Sequence, residues 1–343
     1  MGQSEASDGL VYRGGVALVT GGTGFLGSHI VQELLTRGAN VRVPIHRRPM
    51  RIQDPKIETI AADLSREEDC RTVARGVDWV FHAAGPGGSA GKSALDAMEG
   101  IRTNLVLVSQ MLHAAWAEGV DRFLMLSSTT VYPPADYPIT EEEAWDGPTH
   151  PSYFGYGWMH RYLERLCEFV ASRSTMRIAL VRAGAVYGRW DNFDPKASHV
   201  VPALIRKAVE KQVPYEVWGT GEDIWDFLHV TDLAQGCLLM LEKYAECDPV
   251  NLGSGRGTAI KDLVRVILEA AGHEEARVEF SASKPTTSPV RLVDVSKAGM
   301  TLGFKPKMDL EEGIADTLRW YQSAREGLEQ PTVSVQFQES GSG

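Results

Sequence analysis

Only four cysteines occur in the 343 residues, Cys70, Cys167, Cys237 and Cys247, and no two form a C-x-x-C pair. Neither a disulfide framework nor a metal site is expected, and Cys167 and Cys237 fall in helical patterns where a buried free thiol is the ordinary reading. There is no run of eighteen apolar residues and no charged-then-apolar leader, so a cytoplasmic protein without a membrane partner is expected. Basic residues are in deficit, 35 against 45 acidic ones for a net charge of −10. That balance disfavours a nucleic-acid partner, which needs a basic face to displace counterions, but allows an anionic small ligand met by a few local arginines. No internal repeat is apparent. At this length the chain can bury a large core, as two domains or as a nucleotide domain with a substrate lobe.

What the sequence does have is a glycine turn in a strand–helix context. Val16 to Val19 form an apolar run of strand length, and Gly21, Gly24 and Gly27 follow at three-residue spacing. Leu26, Ile30, Leu34 and Leu35 then recur at helical spacing up to Gly38, and a second apolar run covers Val41 to Ile45. A strand, a tight glycine turn and a helix whose free N–H groups face the turn make an anion site suited to a pyrophosphate. Gly21, Gly24, Phe25, Leu26 and Gly27 are the candidate dinucleotide contacts. A glycine triplet alone is weak evidence; the flanking strands make it specific.

His46, Arg47 and Arg48 follow the second strand. An acidic residue there would hold a free ribose 2′-hydroxyl and an arginine a 2′-phosphate, so NADP is favoured with NAD as the alternative; solvated surface arginines are the bland reading. A third strand spans 58–62 and reaches Asp63 and Leu64, with Asp63 either on the adenine or capping the next helix. A fourth spans 78–83 and delivers Ala83, Ala84 and Gly85 to the crevice, followed by a glycine-rich candidate lid over 85–91. A helix over 94–118 and a strand over 123–126 lead to Ser128, Thr129 and Thr130. From Tyr156 onward Met159, Leu163, Leu166 and Val170 have helical spacing, which places Tyr156 and His160 on one helix face. Strand 178–181 follows, a smaller irregular lobe begins near residue 189, and segment 227–240 is expected to return to the main sheet. The expected organisation is a lead-in over 1–13, a dinucleotide domain over 14–188 plus 226–253, a substrate lobe over 189–225 plus 254–323, and a disordered tail over 324–343.

These motifs, together with Phe227-Leu228-His229-Val230-Thr231-Asp232 and Arg291-Leu292-Val293-Asp294 before Leu302-Gly303-Phe304, resemble the extended short-chain dehydrogenase/reductases of the nucleotide-sugar epimerase/dehydratase group. The pattern is similar to those of the GDP-fucose synthases and UDP-galactose 4-epimerases. The resemblance implies an α/β fold with a doubly wound parallel sheet and a smaller C-terminal α/β substrate lobe, a homodimer, and a nucleotide-diphosphate sugar as substrate. It also implies hydride chemistry with Tyr156 as acid/base, Ser128 sharing the sugar hydroxyl, and Thr130 along the ring; two ordinary strand-end hydroxyls are the competing reading. Substrate contacts implied are Ser128, Thr129, Arg189, Asn192, His199, Val200, Trp218 and Arg291, against solvated charges for the two arginines and a helix-start residue for His199.

The main departure is His160, where the group has lysine. A fixed ammonium favours phenolate, whereas a largely neutral imidazole keeps only a bond to the cofactor ribose. A catalytically silent binding protein is therefore a further alternative. Trp225 and Ala185 also replace an arginine and an asparagine usual in the group. An acidic pair is missing beside Ser128, which disfavours dehydration. His199 matches the histidine of 3,5-epimerisation, but Thr130 stands for its cysteine and is too weak an acid for that exchange. Redox epimerisation at the sugar C4 is the favoured chemistry, with reduction of a 4-keto sugar as its near alternative.

Overall fold

The computed structural model describes residues 12–86, 94–284 and 286–327. A first unit alternates strand and helix. Its elements are β1 (Val16–Thr20), α1 (Phe25–Thr36), β2 (Asn40–Ile45), β3 (Ile57–Ala61), α2 (Glu67–Ala74), β4 (Trp79–His82), α3 (Ala94–Ala117), β5 (Arg122–Ser128), α4 (Phe154–Arg173) and β6 (Arg177–Ala183). The chain then passes through β7 (Ala185–Tyr187), α5 (Val200–Val209), β8 (Tyr215–Trp218), β9 (Ile224–His229), α6 (Val230–Lys243), β10 (Val250–Leu252) and β11 (Gly257–Ala259). It ends with α7 (Ile260–Ala270), β12 (Val278–Ser281), β13 (Val290–Arg291), α8 (Ser296–Leu302) and α9 (Leu310–Arg325).

The main sheet has seven parallel strands in the order β10-β6-β5-β4-β1-β2-β3. β1 lies centrally, pairing Ala17 with both Val41 and Trp79. Chain direction through the sheet reverses on either side of β1, so the helices after β1 and β4 diverge and open a crevice beyond the strand ends. Both faces of the sheet are covered, which is why β1 and β4 are apolar up to their last residues, Thr20 and His82, and almost wholly buried. One core cluster joins Ile30, Leu34, Val43 and Leu238; the other joins Leu18, Met111, Phe123 and Leu163.

A smaller sheet is centred on β9, which pairs with β7, β11 and β13, and β8 pairs with β12 beside it. Its core gathers Tyr187, Ile205, Phe227, Leu263, Ile267 and Ile314. Here the structure corrects the sequence reading: β9 joins the small sheet, and only α6 and β10 return to the large one. The reason is packing, since Phe227 is buried in the lobe's own core while β10 already occupies the free edge of β6. Tyr12, expected within the lead-in, belongs to the core. Tyr12 is 1 % exposed and its hydroxyl donates to the Leu238 carbonyl at 2.7 Å. At the other end α9 runs through Arg325, past the expected boundary at 324.

A buried polar network fastens α4 beneath the strand ends. Arg182 of β6 donates through Nε and Nη2 to both Glu164 oxygens, at 3.0 and 2.8 Å, and through Nη1 to Tyr132 Oη and the Glu141 carbonyl. Tyr132 Oη in turn donates to Asn251 of β10 at 2.6 Å. Arg161, 1 % exposed, donates to the carbonyls of Val131 and Gly147, which ties the 133–151 loop to α4. Ionised groups this deep are tolerable only with their bonding capacity filled, which here fixes the helix register.

Candidate active site

The glycine turn is shaped by close backbone contacts. A Cβ on Gly27 would stand 2.1 Å from the Gly21 carbonyl oxygen, and one on Gly21, at φ +68°, would stand 2.6 Å from that of Ala83. Only hydrogen at these positions lets α1 begin directly against β1 and β4. Ser28 Oγ donates to the carbonyls of Gly22 and Gly24, and no side chain caps Gly24. The first N–H groups of α1, at Phe25, Leu26 and Gly27, have no carbonyl one turn earlier in the helix and form an uncapped donor cluster at the crevice. The cradle thus fits a dinucleotide pyrophosphate.

The exit of β4 lines the same crevice. The Ala83 and Ala84 N–H groups donate to Thr20 Oγ1 at 3.1 and 3.2 Å, and Thr20 Oγ1 also meets His82 Nδ1. Gly85 lies against Asn104 of α3, whose Nδ2 donates to the carbonyls of Pro86 and Gly100. Residues 87–91 of the candidate lid lie outside the described residues. Asp63 accepts from the Ser65 N–H and hydroxyl, and these bonds hold its carboxyl below the usual range. It forms a local turn with Ser65 and does not cap α2, whose N-cap is Arg66. Leu64 is buried beside it, and His46 and Arg47 are exposed after β2.

On α4 the structure brings Tyr156 against α3. The Tyr156 hydroxyl oxygen is buried without a hydrogen-bond partner and stands 2.2 Å from where a Cβ on Gly100 would be. One turn further along α3, Asn104 reaches Gly85 and Pro86, so this contact leads from the phenol to the β4 exit. Burial raises the phenol above its ordinary pKa of about 10. His160 has a buried Nδ1 with no partner, and burial pushes its imidazole down to about 4 against a smaller upward pull from Glu164. It is neutral at physiological pH, so no cation stands at this position.

Ser128 closes β5, and its Oγ accepts from the Thr130 N–H at 3.2 Å; Thr130 Oγ1 is buried and unpartnered. Thr129 Oγ1 accepts from Arg291 Nη2 at 3.2 Å. The Arg291 guanidinium lies between the rings of Tyr153 and Trp225, 5.1 and 5.0 Å from their centroids, at a cavity that His150 and Thr129 also line. The other expected substrate contacts have partners of their own elsewhere in the fold. Arg189 pairs with Asp316 of α9, and its carbonyl meets His29 Nε2 of α1. Asn192 bonds within its own loop, His199 Nδ1 stands 3.4 Å from Asp191 just before α5, and Val200 opens that helix. Trp218 ends β8, exposed, with Lys284 over its ring.

A family model described as the NAD dependent epimerase/dehydratase family matches residues 17–253. The chain belongs to the NAD dependent epimerase/dehydratase family. Its similarity to a probable GDP-L-fucose synthase 1 of Oryza sativa is 32 % identity across 91 % of this chain and 93 % of that protein. A dTDP-4-dehydro-6-deoxy-D-allose reductase of Streptomyces bikiniensis is 29 % identical across 90 % of this chain and 97 % of its own length. Among solved structures, a UDP-glucose 4-epimerase of Thermotoga maritima with UDP-glucose superposes with a TM-score of 0.79 at 25 % identity, covering 90 % of this chain and 99 % of the other. The expected fold class and the expected membership of the epimerase/oxidoreductase group are both met.

Sequence reasoning passed over Gly100. Gly100 carries no motif signal; only the helix contact shows what its missing side chain permits. The geometry predicts that Gly100→Ala destabilises the fold by about 1–3 kcal/mol through overpacking against the phenol. In a Tyr156→Phe background the penalty falls by half or more, because the nearest ring carbon would stand 3.3 Å away. Urea unfolding of the four proteins measures this coupling, since the helix-propensity gain of alanine cancels between backgrounds. Equal penalties in both would place the hydroxyl elsewhere.

Proposed function

We propose that this chain transfers hydride at C4 of a nucleotide-diphosphate sugar, with Tyr156 as acid/base and reduction of a 4-keto sugar as its working direction. The observation that carries the direction is the buried Tyr156 hydroxyl beside a neutral His160. A phenol held above its ordinary pKa keeps its proton at neutral pH, and a proton donor is what a ketone oxygen needs as it becomes an alcohol. A nicotinamide cofactor supplies the hydride when bound. Tyr156 Oη delivers the proton to the C4 oxygen. Ser128 Oγ accepts the Thr130 N–H and so keeps its own hydrogen to donate to the same oxygen. His160 holds the cofactor ribose, and the donors of α1 hold the pyrophosphate. Arg291, kept rigid by two aromatic rings, is the anchor for the substrate's anionic part. The reductase relative of similar length supports this reading.

Redox epimerisation at C4 is the second reading, supported by the likeness to the UDP-glucose 4-epimerase and by the spacing of Ser128, Thr130 and Tyr132. It uses the same groups with Tyr156 first accepting the proton. Proton-exchange epimerisation at C3 and C5 has less support, because the buried hydroxyl of Thr130 has no neighbour to activate it. NADP(H) is proposed as the preferred cofactor from the basic run after β2. His199, Asn192, Arg189, Val200 and Trp218 belong to the substrate lobe that closes on the sugar nucleotide. Incubating the protein with a panel of nucleotide sugars and 4-keto sugars in deuterated water, with NMR of the products, tests the assignment. A new C4 alcohol with stoichiometric NADPH oxidation and no deuterium at C3 or C5 is expected; C4 inversion without net cofactor oxidation gives the epimerase, and ring deuterium contradicts both.

We also propose a homodimer through α3 and α4. Phe154, Trp158, Tyr162 and Phe169 recur on α4 and are 62, 43, 59 and 55 % exposed, an aromatic stripe too large for a solvated helix. Leu95 and Met98 extend it on α3. Sedimentation should give a two-chain mass, reduced to one chain by Tyr162→Glu with Phe169→Glu; a one-chain wild type contradicts the interface.

A further inference from the structure

Arg189, Asp316 and His229 form a polar cluster where the two cores meet. Arg189, on the connection after β7, donates through Nε and Nη2 to both oxygens of Asp316, the first at 2.7 Å. Asp316 lies on α9 between Ile314 and Leu318, which belong to the core of the smaller sheet. His229 ends β9, and its neighbours Leu228 and Leu233 belong to the first core cluster. The connection itself is fixed to the helix of the dinucleotide cradle. His29 of α1 meets the Arg189 carbonyl through Nε2 at 3.2 Å, so that nitrogen carries a ring hydrogen. The same imidazole packs on Trp190 with ring centroids 4.7 Å apart, and Trp190 stands at φ 67°, a left-handed conformation that a bulky residue keeps only where its surroundings impose it.

One contact of the cluster is unmade. His229 Nδ1 meets Thr231 Oγ1 at 2.7 Å, whereas Nε2 is buried without a hydrogen-bond partner and stands 3.9 Å from Asp316 Oδ2. In the tautomer with the hydrogen on Nε2, Thr231 donates to Nδ1 and the ring's own donor faces that carboxylate. A hydrogen bond there needs an approach of about 1 Å, and a buried donor without an acceptor costs stability until the approach is made. Burial raises the Asp316 carboxyl, but the Arg189 bonds outweigh it and hold the group below its usual range, so a full negative charge stands opposite the ring. Burial holds the His229 imidazole below its ordinary pKa; Asp316 and Asp232 pull it up, and Arg189 adds to the lowering. His29 is within electrostatic reach, and Tyr187 meets the ring edge-on at 5.3 Å.

We infer that Asp316 is a positioning residue for the substrate lobe: joined to the cradle helix through Arg189, it closes onto His229 Nε2 when a sugar nucleotide draws the lobe toward the first unit. The inference rests on the proposed function, in which the ligand spans Tyr156 and Ser128 of the first unit and Arg291 of the smaller sheet. A ligand held from both sides favours the state in which those sides are nearer, and the His229 contact, which crosses from one core to the other, is made only in that state. The long Arg189 side chain follows the carboxylate through so small a step, so the link to α1 is kept while the second bond forms.

NMR of the full-length protein with histidine labelled at the ring nitrogens tests it without recourse to turnover, His229 being assigned by the signal lost in His229→Gln. UDP-glucose, dTDP-glucose and GDP-mannose are added in turn to protein holding NADP+ or NAD+, whichever binds, and the ring signals are followed against pH. A sugar nucleotide that binds should raise the His229 midpoint by about one pH unit or more, because a carboxylate at hydrogen-bond distance favours the charged ring. In Asp316→Asn the rise should be absent. That variant should bind the sugar nucleotide about tenfold more weakly, the factor one charge-assisted hydrogen bond is worth, with the cofactor held within about twofold of wild type. A His229 midpoint unmoved by a sugar nucleotide that binds, or a rise of equal size in Asp316→Asn, overturns the inference. Equal weakening of cofactor and sugar nucleotide in that variant marks a merely structural role and overturns it too. If none of the three sugar nucleotides binds, the proposed function itself falls, and the inference with it.

Discussion

A phenol buried with no hydrogen-bond partner and no cation beside it keeps its proton, and the chemistry proposed for this protein turns on that constraint. The Tyr156 hydroxyl rests over Gly100, burial raises its pKa, and the neighbouring His160 is neutral. A lysine at that position would add a positive charge that draws the phenol toward phenolate. An imidazole pushed down to about 4 supplies none at physiological pH. In the proposed function, that difference favours Tyr156 as an acid in ketone reduction over Tyr156 as a base in alcohol oxidation.

The rest of the first unit serves to hold that helix face in place. Arg182 and Glu164 pin α4 to β6, and Arg161 pins the loop after β5 to α4, so the elements that carry Tyr156, His160, Ser128 and Thr130 are joined by buried hydrogen bonds. On the other side of the crevice, the contacts of Gly21 and Gly27 set the start of α1 against β4. The smaller sheet meets the strand end of β5 through Arg291, which lies by the rings of Trp225 and Tyr153 and donates to Thr129. Trp225, standing where an arginine is usual in this group of enzymes, replaces a second charge with a platform that orients the first.

Much of the parallel sheet was legible in the sequence, because strands covered on both faces are continuous apolar runs and their helices carry a stripe at helical spacing. The glycine turn was legible for the same reason: its neighbours fix its context. The placement of β9 was not, since a short strand buried along its last four residues carries no mark of which sheet it will join. Nor was the role of Gly100, whose missing side chain leaves room for the Tyr156 hydroxyl. Arg189, expected as a substrate contact from the resemblance, pairs in the fold with Asp316, a partner that its sequence neighbours do not announce.

The central claim is tested most directly by the ionisation of the phenol itself. With tyrosine labelled at the ζ-carbon, and Tyr156 assigned by comparison with Tyr156→Phe, the NMR shift of that carbon can be followed against pH. The account predicts a Tyr156 midpoint above 10 in the wild type, and a fall in His160→Lys as the ammonium is introduced, with the pH dependence of turnover moving the same way. A wild-type phenol already ionised near neutral pH, or a midpoint indifferent to lysine at position 160, would contradict it.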